Sequence, residues 1–457
     1  MKRLKFYIAM LAAKLVRLLL RAAGRNATHM PGEIALRIDR DFLGGFTKPE
    51  TLICVTGTNG KTTTSNLLTS VLTANGYDII NNSLGSNIQA GICAVMVANS
   101  SFRGVPKKKI AVLEVDERSS LLVYKHLHPD YLICNNIMRD SLKRNAHTDF
   151  ISFIITKALP ETTKVILNGD DIICSHLAPQ CKDRTYFGMD ADKPAAAGFG
   201  PGSRDIVYCP ECGEMLTAEY VRFNHIGRVF CKKCGYGTPE RDFLITALDR
   251  ENGTFTVSHD GKEEIYPLVN DNIVNAYNSC GAVALLTKIG LTYEQIKKGL
   301  SNSSIVSTRF DTFRAGDKNC TMILTKGQNP VACTRVFSYV ATRSEKNKLL
   351  LMMIDDKEDN INNVESTCWL YDLDHSFLND DSITEIVFAG KRCRDQYLKC
   401  LMCGVDPEKI KITDDPFNAV KTADIDAHTD ILILFDNYLV EEAEAAKHEI
   451  IEAEEKK

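Results

Sequence analysis

The 457-residue sequence has no uninterrupted apolar stretch near the ~20 residues that a membrane-spanning helix requires, so a spanning segment is not expected. Its overall charge is not basic either. The formal charge is -4 with 25% charged residues, which gives no sign of a nucleic-acid surface. No internal repeat and no long low-complexity linker appear, which argues against a solenoid or loosely tethered modules. There is no disulfide framework either. Sixteen cysteines are present, but most are isolated in apolar runs such as Leu52 to Val55 and Tyr131 to Cys134, as in a reduced, cytoplasmic chain. The length exceeds what one core fills, so two or three domains are expected.

What is there begins with an amphipathic segment. Lys14, Arg17 and Arg21 interrupt the opening "MKRLKFYIAMLAAKLVRLLLRAAGR", so it reads neither as a signal peptide nor as a span. The three recur at helical spacing opposite a face of Ile8, Ala12, Leu15, Leu19 and Ala23. That helix either packs on its own protein or touches a membrane surface.

The stretch "VTGTNGKTTT", residues 55 to 64, follows the apolar run Leu52-Ile53-Cys54-Val55 and precedes a predicted helix over 61–75. Strand, glycine loop and helix are the setting of a phosphate-binding loop. Backbone N–H groups approach the phosphates, a lysine reaches the terminal ones, and a hydroxyl ligates Mg²⁺. Gly57, Thr58, Asn59, Gly60, Lys61, Thr62 and Thr63 supply those parts, although Val55 stands where a longer loop has its first glycine.

Downstream, "AVLEVDERSS" ends a predicted strand with Glu114 and Asp116, at the sheet edge where open α/β folds present ligands. Glu114 is the expected Mg²⁺ ligand beside Thr62, a solvated turn carboxylate being the plainer reading. "CPEC" at 209–212 and "CKKC" at 231–234 bring Cys209, Cys212, Cys231 and Cys234 to the spacing of a closed, structural Zn²⁺ site. His225, between the two pairs, reads as a surface or packing residue. The lone "CLMC" at 400–403 reads as packing.

Further strands are expected at 110–115, 131–134, 165–167 and 243–248, alternating with helices near 118–126, 150–158 and 271–290, which argues a parallel sheet. A second alternating block has strands at 321–325, 349–354, 385–389 and 431–435, followed by a charged terminal helix.

Taken together, "GTNGKTTT", the acidic strand end and "VILNGDD" at 165–171 resemble the Mur ligase family, which uses this shorter loop. "HMPGEIALRIDRDF", "NNIMRDSLKRNAH" at 135–147, the four-cysteine insert and "QNPVACTRVF" are similar to its MurT subfamily. The resemblance implies an α/β fold with three parts. These are an N-terminal helix and lead-in over 1–48, a Mur ligase ATP-binding domain over 49–310 with a zinc ribbon at about 205–238, and a Rossmann-like α/β domain over 311–457.

It implies ATP-dependent amidation of the D-glutamate α-carboxylate of lipid II through an acyl phosphate, in peptidoglycan biosynthesis, with ATP, Mg²⁺ and structural Zn²⁺. The implied partners are a GatD-like glutaminase, forming a heterodimer and supplying ammonia, and lipid II at the inner face of the cell membrane. By matching position, Asn87, Asn136, Arg139, Asp140, Asn275 and Asn278 should border the nucleotide or acyl phosphate.

The subfamily's C-terminal domain carries an aspartate that completes the glutaminase's catalytic group. Aligning on Trp369 puts Ser366 at that place here, leaving Glu365 or Asp359 as the candidate acid. The last strand, "ILILFDNY", also departs from the subfamily's Pro-Thr-Tyr-Thr ending. A Mur-like ligase with another carboxylate or amine donor, or a nucleotide-binding scaffold, are the alternatives.

Overall fold

The computed structural model describes residues 2–83, 86–140, 147–194, 198–199, 204–269, 272–303, 310–325, 329–354, 368–436 and 438–457. The chain forms two compact units. The first comprises Met1–Met138, His147–Phe199 and Ile206–Ile305; the second comprises Arg139–Ala146, Gly200–Asp205 and Val306–Lys457.

A nine-stranded sheet organises the first unit. Strand β1 (Thr51–Thr56) is a run of β-branched and apolar residues, buried from Leu52 onward, as a strand covered on both faces must be. Its neighbours are β3 (Ile110–Glu114) and β4 (Tyr131–Cys134), both parallel, with Val55 opposite Glu114 and Thr56 opposite Cys134. Strand β2 (Ile79–Asn81) lies outside β3, and β5 (Lys164–Asn168) and β6 (Arg184–Met189) continue beyond β4. Strand β9 (Phe243–Asp249) joins β6 in parallel, and β10 (Thr254–His259) and β11 (Lys262–Pro267) finish that edge antiparallel.

This order sends the chain from β1 to one side for β2 and β3 and to the other for β4, β5 and β6. A crevice therefore opens at the carboxyl ends of β1, β3 and β4, where open parallel sheets bind ligands. Between β6 and β9, β7 (Thr217–Phe223) and β8 (Ile226–Phe230) form a small antiparallel sheet of their own.

Helix α1 (Lys2–Ala22) corrects one expectation. The residues it buries are Phe6, Ala9, Met10 and Ala13, whereas Ile8, Leu15 and Leu19 of the apolar face are exposed, so that face is not the one that packs on the protein. The reason is steric as well as hydrophobic. Phe6 packs in a ring cluster with Phe42 and Phe46, and a Cβ on Gly45 would lie 2.1 Å from the Phe6 ring, so only glycine there lets the helix close. Lys14, expected on the polar side, donates to the carbonyls of Val97 and Ser100 at 3.0 and 2.9 Å. These acceptors end helix α4 (Gln89–Asn99), which also packs on α2 (Met30–Ile38). The segment expected to be helical over 118–126 is instead a 3-10 turn at Glu117–Ser119 and one short helix, Ser120–Val123. Among the described residues no helix is long and apolar enough to cross a membrane.

The second unit is built on six strands. They are β12 (Phe310–Ala315), β13 (Lys318–Leu324), β14 (Lys348–Met353), β15 (Ile383–Ala389), β16 (Ile410–Thr413) and β17 (Asp430–Phe435). Their order is β12-β13-β17-β14-β15-β16, parallel except for the β12–β13 pair. Strands β14 and β17 are buried throughout. The charged terminal helix, Val440–Glu455, seats Ala443, Ala446 and Ile450 against this sheet's apolar face.

Candidate nucleotide site and cysteine cluster

The glycine loop leaves β1 at the crevice. Gly57 has φ +118° and Gly60 φ +87°, conformations that side chains rarely adopt. Neither position has room for one. A Cβ on Gly60 would lie 2.3 Å from Asn278 Oδ1, and one on Gly57 would lie 2.9 Å from the Asn136 carbonyl. The loop is stapled to the exit of β4. Asn136 accepts from the Asn59 N–H at 2.9 Å and donates to the Asn59 carbonyl at 3.0 Å, while Thr58 Oγ1 bonds Met138 through both its N–H and its carbonyl. The Thr58 hydroxyl is thereby used for bracing. Asn135, one residue earlier, donates to Thr64 Oγ1 at 2.9 Å.

Helix α3 (Lys61–Ala74) starts directly after Gly60, so its free N–H groups and the positive end of its dipole face the crevice. Lys61 lies in its first turn. Its ammonium donates to Glu117 Oε1 at 2.9 Å and to the Gly57 carbonyl at 2.5 Å, with 13% of its side chain exposed and 1% of Glu117's. Burial opposes the charge, but Glu117 foremost, with Glu114 and Asp116, outweighs it and holds the Lys61 pKa above the usual lysine value. The lysine stays cationic. Thr62 Oγ1 donates to Glu114 Oε2 at 2.8 Å, and Asn87 Nδ2 donates to Glu114 Oε1 at 3.1 Å. Both Glu114 oxygens are therefore aimed, the backbone behind them being held by Asn82, which pairs with the Glu114 N–H and carbonyl at 2.8 and 2.9 Å. Hydroxyl and carboxylate side by side are the donor set a hard divalent cation takes.

The structure gathers most of the expected residues here. Gly57 to Thr63, Glu114, Asn87 and Asn136 surround the ends of β1, β3 and β4, and Asn278 with its partner Asn275, 3.3 Å away, borders Gly60 from the helix Ile273–Lys288. Arg139, expected to border the nucleotide or the acyl phosphate, pairs with Asp372 at 2.8 Å and Asp205 at 3.3 Å, all three within the second unit. Asp140 follows it and is half-buried. Glu365, Asp359 and Ser366 lie outside the described residues.

Glu117 is the residue that sequence reading missed. It stands in the quoted "AVLEVDERSS", one position past Asp116, which caps the 3-10 turn by accepting from the Arg118 N–H. The signal was the acid-rich strand end itself, which fixed no register for the turn that swings Glu117 inward. Asp171 was quoted but given no role. Its carboxylate accepts from the Ile137, Ile173 and Cys174 N–H groups and lies 3.0 Å from His225 Nε2. His225 is fully buried, so it packs and ties the β7–β8 insert to the main sheet.

The four cysteines Cys209, Cys212, Cys231 and Cys234 cluster with every Sγ within 4.8 Å of the others. Cys209 lies 3.5 Å from Cys234, and Cys212 lies 3.5 Å from Cys231. Tetrahedral thiolates at ~2.3 Å from Zn²⁺ lie ~3.8 Å apart, so the spacing suits that ion. Backbone N–H groups, that of Cys234 first, pull the Cys231 thiol down to about 7. Cys400 of "CLMC" is fully buried in the second unit's core.

A glycine-lysine loop at the switch point of a parallel sheet, with a hydroxyl–carboxylate pair beside it, defines a nucleotide-using α/β enzyme. The Mur ligase middle domain family matches residues 55–199, and the MurT ligase C-terminal family matches residues 326–439. Among solved structures, a pseudomurein peptide ligase type C from Methanothermus fervidus has a TM-score of 0.68 at 18% identity, over 91% of this chain and 81% of that one. MurF from Thermotoga maritima, in complex with ADP, has a TM-score of 0.58 at 16% identity, over 93% and 84%. Two relatives are nearer in sequence. The lipid II isoglutaminyl synthase (glutamine-hydrolyzing) subunit MurT of Staphylococcus aureus (strain COL) is 31% identical over 91% of this chain and 92% of its own. That of Streptococcus pneumoniae (strain ATCC BAA-255 / R6) is 30% identical over 92% of each. The chain belongs to the MurT family of Mur ligases, and it is an ATP-dependent ligase.

Proposed function

We propose that this ligase uses ATP to activate the α-carboxylate of D-glutamate in the lipid II stem peptide and that ammonia completes its conversion to D-isoglutamine. The observation that carries this reading is the convergence of Lys61, Thr62 and Glu114 on one crevice, in a chain of the MurT family. A carboxylate is a poor electrophile. Its oxygen attacks the terminal phosphorus of ATP, the bond to ADP breaks, and ammonia then displaces phosphate from the acyl carbon. Phosphoryl transfer of this kind needs positioning and charge neutralisation above all.

In this reading the backbone N–H groups from Gly57 to Thr63 cradle the phosphates, and Lys61 exchanges its Gly57 contact for the moving phosphoryl group. Thr62 and Glu114 hold Mg²⁺, which supplies charge neutralisation. Glu117 keeps Lys61 charged and aimed, Asn87 orients Glu114, Asn136 fixes the loop, and Asn275 and Asn278 border the nucleotide. Cys209, Cys212, Cys231 and Cys234 hold a Zn²⁺ with no open position, which makes the insert at about 205–238 a zinc ribbon with a structural role.

The domain scheme is 1–48, 49–310 and 311–457. The last part receives a GatD-like glutaminase that hydrolyses glutamine to supply ammonia, with Glu365 or Asp359 as the acid that completes the partner's catalytic group. Chain and glutaminase act as a cytoplasmic heterodimer on a lipid-linked substrate. The test is phosphate release by the purified chain with a lipid II analogue. Turnover with ammonium and none with amino acids supports amidation; turnover with amino acids only points to a peptide-bond ligase, and no turnover to a scaffold.

A further inference from the structure

Helix α1 is anchored by one face and leaves the other bare. Its inner residues are buried, and Lys14 bridges to the end of α4. Leu4, Ile8, Leu11, Leu15, Leu18 and Leu19 occupy the opposite face, each between 50 and 66% exposed. Tyr7 stacks on the exposed ring of Phe102 and widens the patch. Single exposed leucines are ordinary, but six large apolar side chains along one face of one helix form a patch that marks a binding surface.

The surrounding charge selects the occupant. The first 25 residues hold seven basic side chains and no acidic one, in a chain whose net charge is -4. At ~100° per residue, Arg3 and Arg21 flank the apolar face on one side and Lys5 on the other. Lys107 adds to this field from a neighbouring loop. Burial first, and then Lys107 and Arg17, lower the pKa of Lys14. A second copy of the chain would set one cationic rim against another, which like-charge repulsion opposes. An anionic bilayer takes up both the leucines and the rim.

We propose that α1 is a docking helix that lies in the interfacial plane of an anionic membrane, its six apolar side chains among the acyl chains and Arg3, Lys5 and Arg21 at the head groups. A helix of this kind sinks ~5–10 Å below the head groups, shallow enough to leave the rest of the unit in water. The inference reaches beyond the ligase chemistry. A lipid-linked substrate suits it, but vesicle binding can be measured without turnover, so the two readings fail separately.

The test is co-sedimentation of the full chain with vesicles of phosphatidylglycerol and phosphatidylcholine, set against vesicles of phosphatidylcholine alone. The expected result is binding about tenfold or more tighter to the anionic vesicles, weakened by salt. Leu11→Gln/Leu15→Gln/Leu18→Gln lowers that binding about tenfold or more, and Arg3→Glu/Arg21→Glu removes the preference for anionic lipid. Both variants alter exposed positions and keep the wild-type thermal midpoint and ATP affinity. Should the triple variant misfold, Leu18→Gln alone, at the most exposed of the six positions, still weakens binding measurably. Absence of vesicle binding, equal binding by wild type and the leucine variants, or a dimer in solution that the triple substitution dissolves overturns the proposal.

Discussion

Lys61 and Lys348 are two lysines withdrawn from solvent, one beside each sheet, Lys61 opening helix α3 past the carboxyl end of β1 and Lys348 opening β14. Lys61 follows the carboxyl end of β1, and its partners are the Glu117 carboxylate, the Gly57 carbonyl and, at a long 3.5 Å, the Thr58 carbonyl. Lys348 opens β14 at its amino end, fully buried. Its three N–H donors meet three neutral oxygens, the carbonyls of Val340 and Arg343 and the Ser382 hydroxyl, at 2.8 to 2.9 Å. The second arrangement is complete in itself, since an ammonium has three donors to place. The first has a counter-charge within reach and stands where parallel sheets bind ligands. The contrast teaches that burial alone does not make a lysine functional; its end of the strand and the company it keeps do.

The sharpest way to break the contrast is to remove the ammonium in each case. Lys61→Met should lower ADP formation by roughly 10³-fold or more, because the lost charge acts on the transferring phosphoryl group. It should also destabilise the fold, since the buried Glu117 carboxylate loses its counter-charge. The double variant Lys61→Met/Glu117→Gln should recover stability in urea denaturation without recovering turnover, which separates the two effects. Glu114→Gln should cost about 10²-fold in turnover, with partial recovery as Mg²⁺ is raised.

The cysteine cluster comes next. Cys209→Ser should abolish stoichiometric zinc and open the insert to proteases, with turnover falling only as the unit loosens. A thiol must lose its proton to bind metal, so affinity falls as pH drops, and with Cys231 at about 7 zinc release should steepen once pH goes below neutrality. Colorimetric zinc titration from pH 8 to 5.5 reads this; release that is flat across the range contradicts a thiolate site. Lys348→Met is the smallest effect on chemistry. It should destabilise the second unit by about 3 kcal/mol by stranding its acceptors, yet leave ammonium-supported turnover per folded molecule within about twofold.

Much of this was legible in the sequence because glycine, lysine and paired cysteine signals are local. The loop at 57–63, strands β1, β3, β4 and β5, and the cysteine spacing each depend on neighbours within a few residues. Which face of α1 packs inward was not legible, because the more apolar face is not the buried one. Phe6, Ala9, Met10 and Ala13 are less apolar as a set than the leucines opposite them, but they fit against Phe42, Phe46 and Gly45. Strands β10 and β11 were not among the expected strands because their outward residues are largely polar, as in "KEEIYP", which leaves little apolar signal. Glu117 escaped because its partner is 56 residues earlier, and the pair exists only once β1 and β3 lie side by side. The ion pairs of Arg139 with Asp205 and Asp372 were not legible either, because they arise from residues 66 and 233 positions further along.

The most direct measurement of the central claim follows an atom. A lipid II analogue carrying heavy oxygen in the D-glutamate α-carboxylate is incubated with the chain, ammonium, ATP and magnesium, and the released phosphate is examined by mass spectrometry. Transfer of one heavy oxygen into phosphate, absent with Lys61→Met, is the predicted result. Phosphate released without the label contradicts an acyl phosphate made at this loop.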